Sequence, residues 1–336
     1  VAKAKIIGTG IYVPGEPIGN EELFARLGLN YDISRLENVI GIRQRHMAKL
    51  RGIEEYTTDF ATHAAEAAIA DANIDPAELG LIVVATNTPQ YLSPGSAVMV
   101  QGRLQKGQQA TTCFDLATTC SGFCTALDAV AKMMATDSDL RHAAVIASYN
   151  MPAFVRPDDA FGHAIFADGA AAVILQRTDD DDPSGYIGGQ LMSDGTQWDF
   201  IGIYSGGSEK PITDERLAAG EWGLQNLKAL PGDRNLKLWP VIVERLLEKH
   251  GIAIEQVDHL LFTQFNRSIV TQIMEMLGLP LEKTTLTMDR FGYTGCSCIP
   301  IALSEAARLG KIKRGDTLAL IASGSGLTVA SNLLVF

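Results

Sequence analysis

The sequence predicts an α/β protein made of two similar halves, each a mixed sheet covered by helices. Three observations carry that reading. The segment "NIDPAELGLIVVAT" (73–86) returns as "GIAIEQVDHLLFTQ" (251–264), with Ile74, Leu79, Ile82, Val83 and Val84 answered by Ile252, Val257, Leu260, Leu261 and Phe262. Self-similarity of this kind marks a repeated unit. Strand-length apolar runs such as "LIVVAT" and "AAAVIL" alternate with alanine-rich stretches of helical period, the pattern of strands buried on both faces under helices. Between the copies lies "TDDDDPSG" (178–185), an acidic, Pro- and Gly-containing stretch that reads as a solvated junction. The predicted halves are therefore 1–178 and 184–336.

Along the chain, "ATHAAEAAIADA" predicts a helix, and a short acidic turn then feeds the buried strand "LIVVAT". "DLATTCSGFCTAL" (115–127) places Cys120 at the seam between a short apolar run and an amphipathic helix. The strand "AAVIAS" (143–148) returns as "LALIAS" (318–323). The helical pattern after Cys120 returns after Tyr293 in "GYTGCSCIPIALSEAARLG", which sets Cys296 opposite Cys120. Pseudo-twofold pairing would bring the starts of these two helices together at the centre, and the site is expected there.

Composition narrows the function classes. A chain of 336 residues, 46% hydrophobic with 32 glycines, can bury a sizeable core and exceeds one average domain. No apolar run approaches the ~18 residues of a membrane span, and the N-terminus lacks a basic-then-apolar leader, so a soluble cytoplasmic protein is expected. Five cysteines at irregular spacing and six scattered histidines make neither a disulfide framework nor a zinc site; no metal is expected. A net charge of −11 argues against nucleic acid or an anionic membrane as partner, because that binding needs basic clusters.

The motifs "KIIGTGIYVP", "GIRQRH", "LIVVATNTP", "TCSGFCTAL", "FADGAAAVIL", "FNRSI", "DRFGYTG…IPIAL" and "GSGLTVASNLLVF" run in the order and spacing of one family. The chain resembles β-ketoacyl-acyl carrier protein synthase III, a thiolase-fold condensing enzyme, over nearly its whole length. The resemblance implies a five-layered α-β-α-β-α fold, a homodimer and a covalent acyl-cysteine intermediate at Cys120. It implies no cofactor beyond the acyl-CoA or acyl-carrier-protein thioester that serves as substrate. On the residues alone Cys120 reads equally as a nucleophile or as a packed thiol; the collinear motifs favour the nucleophile. A cysteine at a helix N-terminus is expected to have its pKa lowered below ~8.5 and to attack a thioester as the thiolate. The Cys120 amide and, by motif position, that of Ser325 in "SGSGL" (323–327) would form the oxyanion hole. Cys113, Cys124 and Cys298 read as packing residues, and Cys296 as core or a second functional thiol.

Several positions depart from the family pattern. Thr263 in "TQFN" (263–266) stands where the resemblance implies a histidine, with Phe265 in place of a small alanine and Asn266 retained beside it. Tyr293 stands where it implies an asparagine. The lost imidazole and amide hold the thioester oxygen of a malonyl extender during decarboxylation; at ~3 kcal/mol per oxyanion donor, losing both slows that step by powers of ten. Acylation of Cys120 suffers less. Rescue falls to His163, expected on a strand bordering the acyl pocket, whose other reading is a core or interface histidine. Arg35 and Ala160 take the places of an adenine clamp. Glu275 and Met276 replace lysines of a carrier-docking patch and leave Arg267 as the clearest cation there. Ser93 in "TPQYLSPG" (88–95) stands where an aromatic closes the acyl pocket across a dimer interface, so a longer or bulkier acyl group is expected.

The sequence thus points to an acyltransferase that loads Cys120 from a thioester and passes the acyl group to an acceptor without obligatory decarboxylation. Two alternatives stand beside it: decarboxylative condensation with Thr263, Tyr293 or His163 in the lost roles, and an inactive partner subunit of a condensing-enzyme complex. The dimer is expected to form through a strand following "TTCFDLA" that runs antiparallel to its copy and hides a sheet edge.

Overall fold

A computed structural model describes residues 3–107, 109–178 and 182–336. The first sheet contains β1 (Ala4–Tyr12), β2 (Leu79–Ala85), β3 (Thr112–Leu116), β4 (His142–Tyr149) and β5 (Gly169–Arg177), in the order β1-β5-β4-β2-β3. Next come β6 (Gly185–Gln197) and a two-stranded ribbon of β7 (Ile201–Ile203) and β8 (Leu224–Asn226). The second sheet is completed by β9 (His259–Phe262), β10 (Thr317–Gly324) and β11 (Gly326–Val335), in the order β9-β10-β11-β6. Read from the other end, β6-β11-β10-β9 repeats β1-β5-β4-β2, antiparallel, antiparallel, then parallel in both sheets. Only β3 has no counterpart among the described residues, and it stands at the sheet edge.

A short helix, α1 (Asn20–Leu27), precedes the helices that cover the sheets. Helices α2 (Thr57–Ala72) and α3 (Ser96–Gln105) cover the outer face of the first sheet. The central layer holds α4 (Gly122–Thr136) and α8 (Cys298–Arg308), with the six-residue α5 (Ala160–Ile165) leading into β5. Helices α6 (Arg234–His250) and α7 (Arg267–Met276) cover the second sheet. The result is the five-layered α-β-α-β-α, thiolase-like architecture.

The two-residue alternation of strands decides the faces. Leu81, Val83 and Val145 point into the layer between the sheets, whereas Ile82, Val84 and Ile146 point to α2 and α3. Leu318 and Leu320 likewise point inward, and Ala319 and Ile321 outward. Helix α2 can lie directly on β1 because β1 carries glycines: a Cβ on Gly8 would meet the Ala68 carbonyl at 2.4 Å, and one on Gly10 the Ala64 carbonyl at 2.3 Å. The repeat read from sequence is equally local. Asn73 and Gly251 close α2 and α6 at φ 53° and 64°. Each is followed by one 3-10 turn in which a side chain, Glu78 or Gln256, accepts a backbone N–H three residues back, from Asp75 at 2.9 Å or Ala253 at 2.8 Å.

Two expectations need correction. The strand near "TTCFDLA" does not come after that segment; it is β3, within it, and the chain then enters the turn that carries Cys120. His163 sits in α5 rather than on a strand, because Asp159 caps the Gly162 amide at 2.8 Å and starts a helical turn there. Of the junction 178–185, residues 179–181 lie outside the described residues.

Candidate active site

Between β3 and α4 the chain makes a single 3-10 turn, Thr119–Ser121. Thr119 takes φ 48°, a conformation that is costly for a β-branched residue. Its hydroxyl holds it there by donating to the Ser325 carbonyl at 3.2 Å. The turn presents Cys120 to a cavity of about 850 Å³ whose wall also carries Thr263, Phe265, Tyr293, Arg234 and Ser325. Gly324 makes the approach possible, since a Cβ there would lie 2.0 Å from Thr119 Oγ1 and 2.8 Å from the Cys120 nitrogen.

Cys120 is partly open to this cavity but otherwise walled by protein, and burial raises its thiol pKa rather than lowering it. This corrects the expectation drawn from the helix N-terminus. The regular helix starts only at Gly122, and the desolvation of a thiolate here outweighs the groups that favour it. Those groups are the neighbouring Tyr293 hydroxyl, the charge of Arg234, and the backbone amides of Cys120 and Ser325. The two amides expected to hold an oxyanion thus both bear on the Cys120 sulfur.

Thr263 follows β9 and is buried; its hydroxyl accepts the Ser323 amide at 3.2 Å, which leaves its own proton free to be donated. Gln264 anchors the turn by bonding the Phe262 and Thr285 carbonyls and accepting the Thr287 amide. Asn266 caps α7, accepting from the Ser268 amide at 2.9 Å, while also lining the cavity. Tyr293 is clipped to the chain after α5 through Tyr293 N–H to the Ile165 carbonyl and Ala167 N–H to the Tyr293 carbonyl, each 3.0 Å. Its ring meets Phe265 edge-on at 5.3 Å and lies 5.9 Å from Phe166 and 6.5 Å from Tyr149.

Two sequence profiles match the chain: 3-Oxoacyl-[acyl-carrier-protein (ACP)] synthase III over residues 114–195, and the C-terminal part of the same family over residues 247–336. Beta-ketoacyl-[acyl-carrier-protein] synthase III of Clostridium acetobutylicum is 31% identical over 335 residues, covering 98% of both chains. The protein of that name from Coxiella burnetii is 33% identical over 331 residues, again covering 98% of each. The chain belongs to the β-ketoacyl-acyl-carrier-protein synthase III family. The crystal structure of 3-oxoacyl-[acyl-carrier-protein] synthase III from Aquifex aeolicus superposes with a TM-score of 0.86 at 30% identity, covering 99% of this chain and 100% of that one.

Within this chain, two residues singled out in sequence, Phe265 and Tyr293, pack as one unit. Phe265 and Tyr293 occupy each other's neighbouring space, so a large residue at one position is matched by a large residue at the other. His163 does not join them. Phe161 and Phe166 line the cavity and His163 does not; it is buried, burial lowers its pKa, and its ring nitrogens make no well-formed hydrogen bond among the described residues. Ser93 is exposed on its loop and lies outside the cavity of its own chain. Arg35 is on the wall and Ala160 is not. Arg267 is spent on the Glu37 and Asn38 carbonyls at 3.1 and 2.6 Å. Cys124 and Cys298 are buried, and Cys113 is half-buried at the edge strand.

Sequence reasoning missed Arg234, Tyr149 and Phe166. Tyr149 ends a strand and Phe166 precedes "ADG", so both read as core. Arg234 carried one usable signal: a cation at the first position of a helix, against the helix dipole.

Proposed function

We propose that this protein is an acyltransferase in which Cys120 accepts an acyl group from a thioester and passes it to an alcohol, amine or activated carbon acid without obligatory decarboxylation. The observation that carries the reading is that Cys120 and Tyr293 share the wall of one cavity, on which no histidine lies among the described residues. In the first half-reaction the Cys120 sulfur bonds to the thioester carbon, the carbon–sulfur bond to the carrier breaks, and the carrier leaves as a thiol with the proton Cys120 gave up. In the second, the acceptor's lone pair bonds to the acyl carbon and the bond to Cys120 breaks. Tyr293 gives its hydroxyl proton to the departing sulfur and takes the acceptor's proton in return. In this reading the amides of Cys120 and Ser325 hold the oxyanion of both tetrahedral intermediates. Thr263, with an unspent proton, supplies a further neutral donor.

Intact-protein mass spectrometry after incubation with a panel of acyl thioesters tests this. An adduct that forms on the native chain and is absent in Cys120→Ala is the expected result; no adduct from any donor removes the acyltransferase reading and leaves that of an inactive partner subunit.

Membership of the synthase III family favours decarboxylative condensation as the second reading. The packing of Phe265 on Tyr293 sets the discriminating variant: Thr263→His and Tyr293→Asn have to be combined with Phe265→Ala, because the pair alone leaves Phe265 without its partner ring. A gain in carbon dioxide release from malonyl thioester supports transfer as the native task; a loss supports Tyr293 and Thr263 as decarboxylation residues.

The donor fits a coenzyme A thioester or an acyl carrier protein. The acidic chain, the exposed Glu275 and Met276, and the occupied Arg267 handicap docking of an acidic carrier. We place the protein in the cytoplasm as a homodimer joined at the β3 edge. Exposed Tyr91 and Leu92 beside Ser93 support that contact. In such a dimer Ser93 reaches the partner's acyl tunnel, and Ser93→Phe shortens the acyl group accepted.

A further inference from the structure

The cavity that holds Cys120 carries three cations, Arg35, Lys228 and Arg234, and no carboxylate among the described residues of its wall. On a chain of net charge −11 this is a local arrangement, opposite to the overall balance. The three cations differ in what they touch. Lys228 is paired with Asp199 at 2.5 Å, and Arg35 is exposed on the short segment after Asp32. Arg234 is half-buried and makes no ion pair among the described residues; its Nη1 reaches only Gln197 Oε1, at 3.4 Å. The neighbouring Asp233 is taken by Lys237 at 2.5 Å. Nor does Arg234 serve its helix, since it opens α6 at the positive end of the helix dipole. It lies near enough to the nucleophile for its charge to act on Cys120, and for Cys120 and Tyr293 to act on it.

We propose that Arg234 binds a carboxylate carried by the substrate beside Cys120, which makes the enzyme selective for an acidic acyl group or an acidic acceptor. A guanidinium fork matches a carboxylate with two parallel hydrogen bonds, and a bound carboxylate supplies the counter-charge that the protein withholds. The inference rests on the acyltransferase reading and agrees with it: a carboxylate held by a guanidinium is stabilised as the anion and resists loss as carbon dioxide.

Three measurements on the full-length chain test it. In the donor arm, Cys120 is loaded from the pantetheine thioesters of glutaric and pentanoic acid. In the acceptor arm, the pentanoyl enzyme is mixed with β-alanine or propylamine. The native chain should favour the carboxylate-bearing compound by about tenfold in one arm, which identifies its source, with the preference lost in Arg234→Gln and partly kept in Arg234→Lys. No preference in either arm, or one that survives Arg234→Gln, overturns the proposal. The third measurement needs no acyl transfer: pentanoate should protect Cys120 from iodoacetamide better than pentanamide does, in the native chain and not in Arg234→Gln. Arg234-dependent protection without any acyl adduct keeps the carboxylate site and removes the acyltransferase reading. Adducts without Arg234-dependent preference do the reverse.

Discussion

Cys120 and Cys296 occupy the same place in the two halves, and the comparison isolates how differently two matched cysteines are surrounded. Each is the middle residue of a three-residue 3-10 turn, Thr119–Ser121 or Gly295–Ser297, that opens a central helix. The two helix starts touch: a Cβ on Gly122, the first residue of α4, would lie 3.3 Å from the Cys296 Cβ. Burial raises both thiols, that of Cys296 well above its ordinary value. The difference lies in their partners. Cys296 is closed off, with its sulfur against the Ala85 and Ser148 carbonyls at 3.3 and 3.4 Å, acceptors that hold the protonated form. Cys120 opens to a cavity and faces donors: a tyrosine hydroxyl, two amides and a guanidinium charge. Two thiols at matched helix starts therefore differ in access and in the groups that face them.

The widest separation of the two thiols should come from their own replacement. Cys120→Ala is expected to abolish the acyl adduct, whereas Cys296→Ala should retain it and cost about 1 kcal/mol of stability through lost packing, read by intact mass and thermal melting. Loss of the adduct in a folded Cys296→Ala chain would break the comparison. Next in size is Gly324→Ala, which pushes on Thr119 Oγ1 and the Cys120 nitrogen and should slow acylation on the order of 10²–10³-fold by displacing an oxyanion donor. The smallest effect concerns pH. Because burial raises the Cys120 thiol, and only the thiolate reacts, its alkylation by iodoacetamide should still be climbing at a pH where that of an ordinary thiol has levelled off. Removing a donor to the thiolate raises the thiol further, so Tyr293→Phe should move the profile upward and slow alkylation at about pH 8 by roughly tenfold. A profile unchanged in Tyr293→Phe would show that the hydroxyl does not act on the sulfur.

The parts of the site that were legible in sequence are those set by short spacing. Cys120 at a strand-to-helix seam, Thr263 after a repeated strand and Tyr293 before the mirrored helix all reach the one cavity, because the repeat that reveals them also brings the two helix starts together. Asn266 was legible as a site residue, but its helix-capping bonds are visible only in the structure. His163 went astray because two positions along a helical turn separate Phe161, on the cavity wall, from a side chain that is not. The coupling of Phe265 to Tyr293 was invisible, since ring contact across 28 positions leaves no trace in either local stretch.

By itself the sequence determined the repeated α/β plan, because periodicity, alanine-rich helices and apolar strands are properties of neighbouring residues, and duplication writes them twice. It also determined that a threonine follows the repeated strand at 263 and a tyrosine precedes the mirrored helix at 293. Only the tertiary structure decided the surroundings of those side chains. The direction of the Cys120 pKa shift depends on burial and on groups 114 to 205 residues away, as the absence of an ion pair at Arg234 among the described residues depends on its fold neighbours, and electrostatic energies follow distance in space rather than position along the chain.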